Sequence, residues 1–403
     1  MRLWKDGKGK KAFLIGGLCS ASYLAVYVAR SILSAVTPQL VETGKMTTEY
    51  IGTVSSTFFM FYAVGQLVNG ILGDKIKGKY MVVLGLVLAG FSNLFFMSFM
   101  GNRAAASLIY GMLGFFLSMI YAPMVKTISE NTNPIHSENC NLALSFAALL
   151  GTPIAGLIAG LFVWKTSFFI VSIALWLMGS LYFLSISALE KAGAINYCQY
   201  VRKKEQKQKK GVQILLRRRI ISFTVISALT GIVRTSVVFW LPTYISQYLG
   251  FPSDTAAFIF TVATAAISVA TFVAVYIYEC LHRNMNLTIL LSFVVAAISF
   301  AALFFVKMSF LNVILIVIAV MASNSASTMI WVVYCPGLRD TGLVSTATGY
   351  LDFISYMAGA ISNVVFANAV SAIGWGNLIL IWAGLMSLGV MISIPFLKKK
   401  EKL

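Results

Sequence analysis

Twelve apolar runs, each long enough to cross a bilayer, constrain this chain more than any other feature. They lie at 12–38, 49–73, 80–100, 104–129, 139–163 and 166–189, and again at 220–248, 254–281, 287–306, 310–335, 342–370 and 377–397. The hydrocarbon layer is about 30 Å thick and a helix rises about 1.5 Å per residue, so about 20 apolar residues make one crossing. Only 11% of the 403 residues are charged and 59% are hydrophobic. A soluble domain would carry roughly twice that charge, and one core cannot take so much apolar surface. The 31 glycines fit helices packed closely in a membrane. The expected fold class is an all-α membrane protein with twelve transmembrane helices.

Charge gives the expected orientation. The net charge is +18, which on a soluble chain would suggest nucleic acid. Here the basic residues sit between apolar runs, so no nucleic-acid partner is expected. Of the 31 Lys and Arg residues, 25 fall on one side: the first eleven residues, the 74–79 loop, Lys126, the 190–219 segment, Arg283, Arg339 and the last residues. Lys45, Arg103, Lys165 and Lys307 fall on the other. By the positive-inside rule this asymmetry predicts a multi-pass cell (inner or plasma) membrane protein with both termini cytoplasmic. The first apolar run contains an arginine and reaches Pro38, so it reads as a retained helix rather than a cleaved leader.

The chain divides in two. Residues 190–219 form the one long polar stretch, with ten basic residues. They read as a basic cytoplasmic linker, with anionic lipid headgroups as a further option. It joins an N-terminal six-helix bundle (1–189) to a C-terminal six-helix bundle (220–403). The halves look repeated: Arg30 precedes Pro38 by eight residues, Arg234 precedes Pro242 by eight, and the offset is 204, about half the chain. Two pseudo-symmetric six-helix bundles related along the membrane normal are the expected architecture.

Arg30 and Arg234 carry the chemistry. Each lies inside its apolar run, where a charge costs at least about 2.5 kcal/mol. Arginine stays protonated, and its planar fork matches phosphate or carboxylate. Two forks can clamp one dianion; the competing reading is two structural ion pairs. Away from the run ends the only acid is Asp352, and one carboxylate cannot neutralise two guanidiniums. Tyr23 and Tyr27 precede Arg30 by seven and three residues, on the same helical face, and serve either ligand contact or packing. Gln66 and Asn69 share a face of the second run, for ligand contact or interhelical hydrogen bonding.

No enzyme site emerges: there is no paired carboxylate in one run, no P-loop and no Ser/His/Asp set. The five cysteines have no metal-ligand spacing, and His136 and His282 fall near expected loops. No metal or cofactor is expected.

The loop after the second run, Gly70-Ile71-Leu72-Gly73-Asp74-Lys75-Ile76-Lys77-Gly78-Lys79, resembles the major facilitator superfamily signature, in which Asp74 and Lys75 would gate the cytoplasmic face. A closer resemblance spans the chain. Tyr23, Tyr27, Arg30, Pro38, Gly52, Tyr62, Gly65-Gln66-Leu67-Val68-Asn69-Gly70 and Gly73-Asp74 together resemble the organophosphate:phosphate antiporter family. So do Ser118-Met119, Pro123 and Lys126, Arg234 with Trp240 and Pro242-Thr243-Tyr244, and Gly349 with Tyr356. The resemblance implies a major facilitator fold, a phosphate site built on Arg30 and Arg234, and exchange of inorganic phosphate for a small phosphate ester. It points to Tyr23, Tyr27, Gln66, Asp352 and Tyr356 as further substrate contacts. There are departures: Gln66 stands where glycerol-3-phosphate transporters carry Lys, and Ser145 is nearest to their His. Asp352 resembles hexose-phosphate relatives, and it fits sugar hydroxyls, an amine or the balancing of an arginine.

The expected mechanism is rocking of two bundles, with closure favoured only when an anion bridges the cations. Two other readings stay open: a transporter-like membrane receptor that senses a sugar phosphate, and a proton-coupled carrier with Asp352 as its proton site. Expected partners are a phosphorylated anion, inorganic phosphate and the lipid bilayer, and a monomer is expected.

Overall fold

The computed structural model describes residues 7–72, 76–195, 215–216, 218–306, 308–335, 338 and 344–397. The expected gating pair, Asp74 and Lys75, lies outside the described residues, as do 196–214 and Arg217 of the basic segment. Helices α1 (Gly7–Glu42), α2 (Thr48–Leu72), α3 (Gly78–Phe99), α4 (Arg103–Ser118), α5 (Tyr121–Asn131), α6 (Pro134–Leu161) and α7 (Trp164–Lys191) precede that segment. After it come α8 (Ile220–Ile232), α9 (Val238–Gln247), α10 (Ser253–Ser268), α11 (Ala270–Cys280), α12 (Met285–Phe305), α13 (Ser309–Met329) and α14 (Val344–Leu397). Short π turns, Val233–Val237 and Ile330–Tyr334, join α8 to α9 and continue α13.

The protein has the all-α architecture expected, and departures from the expected runs have local causes. The fourth run splits into α4 and α5. Pro123 has no N–H, and its ring excludes the carbonyl four residues back, at Met119; the Met119 N–H turns instead to the Phe116 carbonyl at 3.1 Å. The eighth run splits at Val269, whose N–H bonds the Ala266 carbonyl at 3.1 Å, with no Pro or Gly nearby to announce it. The eleventh and twelfth runs are continuous in α14 except at Gly374, where φ is 76° and ψ 170°. Only glycine adopts that conformation without strain. Eleven helical stretches among the described residues are long and apolar enough to cross a membrane, and the last, Gly349–Pro395, has 47 residues. At about 1.5 Å per residue it exceeds two bilayer thicknesses, so it is two spans hinged at Gly374.

The chain forms two compact units. Unit 1 takes Met1–Thr47, Thr57–Lys203 and Ser253–Thr261; unit 2 takes Thr48–Ser56, Lys204–Pro252 and Val262–Leu403. The first turns of α2 thus belong with unit 2, and the first of α10 with unit 1. Within unit 1, polar side chains tie helix to helix. Gln39 donates to the Ala159 carbonyl at 2.7 Å, joining α1 to α6. Asn93 donates to Ser172 Oγ at 3.0 Å, joining α3 to α7. Within unit 2, Ser227 donates to the Leu351 carbonyl at 2.7 Å, and Asn363 donates to Ser55 Oγ at 3.0 Å. In an apolar medium such bonds fix which helices pair and at which register.

Candidate functional site

Arg30 sits in the middle of α1, half-buried, one turn beyond Tyr27. Its guanidinium lies over three aromatic faces of unit 1: Tyr27 at 5.3 Å, Phe59 at 5.3 Å and Tyr62 at 5.0 Å from the ring centroids. Phe59 and Tyr62 are three apart on α2, so one face of that helix supplies both. Behind them Tyr23 is buried, its ring 5.1 Å from Tyr27 and 5.2 Å from Tyr121. The π faces attract the cation, and they leave its formal charge in place.

Arg234 has different surroundings. It lies in the π turn that links α8 to α9, a local over-widening that recurs at functional sites. Its Nη2 donates to Ser355 Oγ at 3.0 Å. Asp352 Oδ1 stands 3.6 Å away, and both side chains are 30% exposed. That separation is an ion pair longer than a hydrogen bond. The Tyr356 ring centroid is 5.1 Å from the guanidinium. Asp352, Ser355 and Tyr356 follow at i, i+3 and i+4 on α14, one helical face. Close approach of α8 and α14 makes this possible: a Cβ on Gly231 would lie 2.5 Å from Ser355 Oγ, so no larger residue fits there.

The remaining expected site residues divide. Gln66 is half-buried. Asn69, on the same face, is buried and donates to Ser118 Oγ at 2.7 Å, so it serves packing between α2 and α4. Ser145 is exposed. Sequence reasoning does not reach Phe59 or Ser355, and it reaches Tyr62 only through resemblance. The spacing of Phe59 to Tyr62, and of Ser355 to Asp352, is their only sequence signal. Among the described residues no group of three or more His, Cys, Asp or Glu is placed to hold a metal ion.

Comparison with known proteins gives the family and the fold. The model of the Major Facilitator Superfamily matches residues 19–363. A membrane sensor protein UhpC of Salmonella typhimurium is 29% identical over 94 residues, covering 23% of this chain and 21% of that protein. A glycerol-3-phosphate transporter of Bacillus subtilis is 22% identical over 254 residues, covering 58% of this chain and 57% of that one. The matched stretches therefore span less than two thirds of these relatives' own lengths. A solved bacterial homologue of the human lysosomal transporter Spinster, inward-facing and unoccupied, superposes with a TM-score of 0.77 at 12% identity, covering 99% of this chain and all of that one. That likeness speaks for the fold.

Proposed function

Because the chain belongs to the Major Facilitator Superfamily, we propose that it is a secondary transporter exchanging a small organic phosphate ester for inorganic phosphate by alternating access. The observation that carries this reading is the treatment of its two intramembrane arginines. Each guanidinium is stacked on tyrosine, and Arg234 meets Asp352 at 3.6 Å rather than at hydrogen-bond distance. π faces stabilise a cation and leave its formal charge in place for an incoming anion. Phosphate offers several oxygens in the geometry that fork requires. The reading assigns the phosphate group to Arg30 and Arg234. The organic moiety goes to Tyr23, Tyr27, Gln66 and Tyr356, with Asp352 meeting its hydroxyl or amino groups. Asp74 and Lys75 are assigned to gating, and the protein works as a monomer in a cell membrane with both termini cytoplasmic. Six spans on either side of the 190–219 linker are its working halves.

The similarity to a glycerol-3-phosphate transporter supports a phosphorylated substrate. Counterflow into proteoliposomes tests the proposal, using a panel of labelled phosphate esters. Uptake is expected to require internal phosphate. Uptake that ignores internal phosphate and collapses with the proton gradient would sink exchange and favour proton coupling at Asp352.

The similarity to a membrane sensor protein favours one second reading, in which the same site binds a sugar phosphate and reports it. That protein would show saturable ester binding in detergent with no counterflow in vesicles.

A further inference from the structure

In unit 1, α1 and α7 leave a groove of about 480 Å³ between them, lined by Phe13, Leu14, Gly17, Ala21, Leu181 and Ala188 among others. It is almost wholly apolar; Ser185 is its one polar lining residue. Its walls are unusually low where the small residues stand. Gly17, Ala21 and Ala188 are all exposed, and a Cβ on Gly17 would meet nothing within 4 Å.

One end of this groove is basic. Lys10 precedes Phe13 by three residues and Leu14 by four, and Lys11 precedes Leu14 by three, so both lie one turn beyond the lining on the same side of α1. Lys191 follows Ala188 by three on α7. The N-terminal turn of α1 and the last turn of α7 therefore bring three ammonium groups to one mouth. Lys10 and Lys191 are exposed and Lys11 half-buried. Among the described residues none of the three takes part in an ion pair. The acid next to Lys191, Glu190, accepts from Lys77 at 3.3 Å and also from Lys79, so its carboxylate is held by the start of α3; the acid nearest Lys10 and Lys11 in sequence, Asp6, lies outside the described residues.

We propose that this groove is a binding site for one anionic phospholipid, with an acyl chain lying along Gly17, Ala21 and Leu181 and the phosphodiester held by Lys10, Lys11 and Lys191. The layout matches the amphipathic shape of a lipid. Charge is confined to the span ends, where headgroups lie and lysines reach them by snorkelling. The rest of the groove runs into the apolar layer. Basic pockets between transmembrane helices recognise acidic headgroups in this way, whereas a neutral lipid or an apolar partner helix would make no use of the lysines. The site is independent of the transport reading.

Native mass spectrometry of the purified full chain in detergent tests it, with phosphatidylglycerol and phosphatidylcholine of identical acyl chains. The wild type is expected to retain phosphatidylglycerol in preference. K10Q, K11Q and K191Q should each weaken that retention about fivefold and leave phosphatidylcholine unchanged. Gly17→Leu, which has room to fill the groove, should reduce retention of both lipids. Equal retention of the two lipids by wild type overturns the proposal, as does full phosphatidylglycerol retention in the triple lysine variant. Retention unaffected by Gly17→Leu would move the lipid elsewhere and overturn the groove. Displacement by inorganic phosphate, or by a co-purifying polypeptide, would assign the lysines to a different occupant.

Discussion

Arg30 and Arg234 stand 204 residues apart at matching positions of a repeat, yet they are held in different ways. Around Arg30 the neighbours are three aromatic rings within 5.3 Å, two of them from α2. Around Arg234 they are a hydroxyl at 3.0 Å, a carboxylate at 3.6 Å and one ring, all from α14. Aromatic faces stabilise a cation without competing with an anion for its N–H groups. A carboxylate does compete. The repeat thus supplies two guanidiniums in unlike company, one stacked on aromatic rings and one that an anion must share with or take from Asp352. Backbone geometry differs as well, since Arg30 lies in regular α-helix and Arg234 in a π turn.

The sharpest way to break this contrast is to keep both charges and remove both forks. Arg30→Lys and Arg234→Lys should each lower phosphate counterflow on the order of 100-fold, the value of a charged bidentate contact. If Arg30 were only a structural cation for its rings, Arg30→Lys would transport normally. Next in size is Asp352→Asn. Removing a half-exposed competing charge should tighten inorganic phosphate binding about fivefold, read as Kd by calorimetry. A total loss of transport in that variant would instead support a proton site.

The aromatic side of the contrast yields a smaller effect. Phe59→Leu should weaken phosphate binding about two- to fivefold, and Tyr62→Phe, which keeps the π face, should change it little. Loss of binding in Tyr62→Phe would mean that its hydroxyl, rather than its ring, is in use.

A carboxyl outside both arginine sites calibrates the smallest change. Burial pushes the Glu130 carboxyl above its ordinary value, with Lys126 opposing. The folded state therefore holds that proton more tightly than the unfolded chain, and stability falls as pH rises from the ordinary carboxyl range through the raised value. Glu130→Gln should flatten this slope and raise Tm at neutral pH by less than about 2 °C. A steeper slope in the variant would contradict the burial argument.

Much of this site was legible in the linear chain. The apolar runs, the Arg30/Arg234 repeat and the one acid away from the run ends all follow from local composition, and the Tyr356 ring stands 5.1 Å from Arg234. Phe59 could not be recognised, because nothing in α2 says that its face meets α1. Ser355 looked like one more small residue until Gly231 brought α8 against it. The split at Val269 carries no Pro or Gly, so hydropathy passes through it unbroken.

The sequence by itself determined that this is a twelve-span helical protein with one arginine set inside an apolar run early in each half. Bilayer thickness sets the length of an apolar run, and a charge inside such a run is conspicuous whatever surrounds it. Tertiary structure alone decided what stands within reach of each guanidinium. Apart from Tyr27, those neighbours come from other helices, and at Gly231 their approach depends on a small residue rather than on any local propensity.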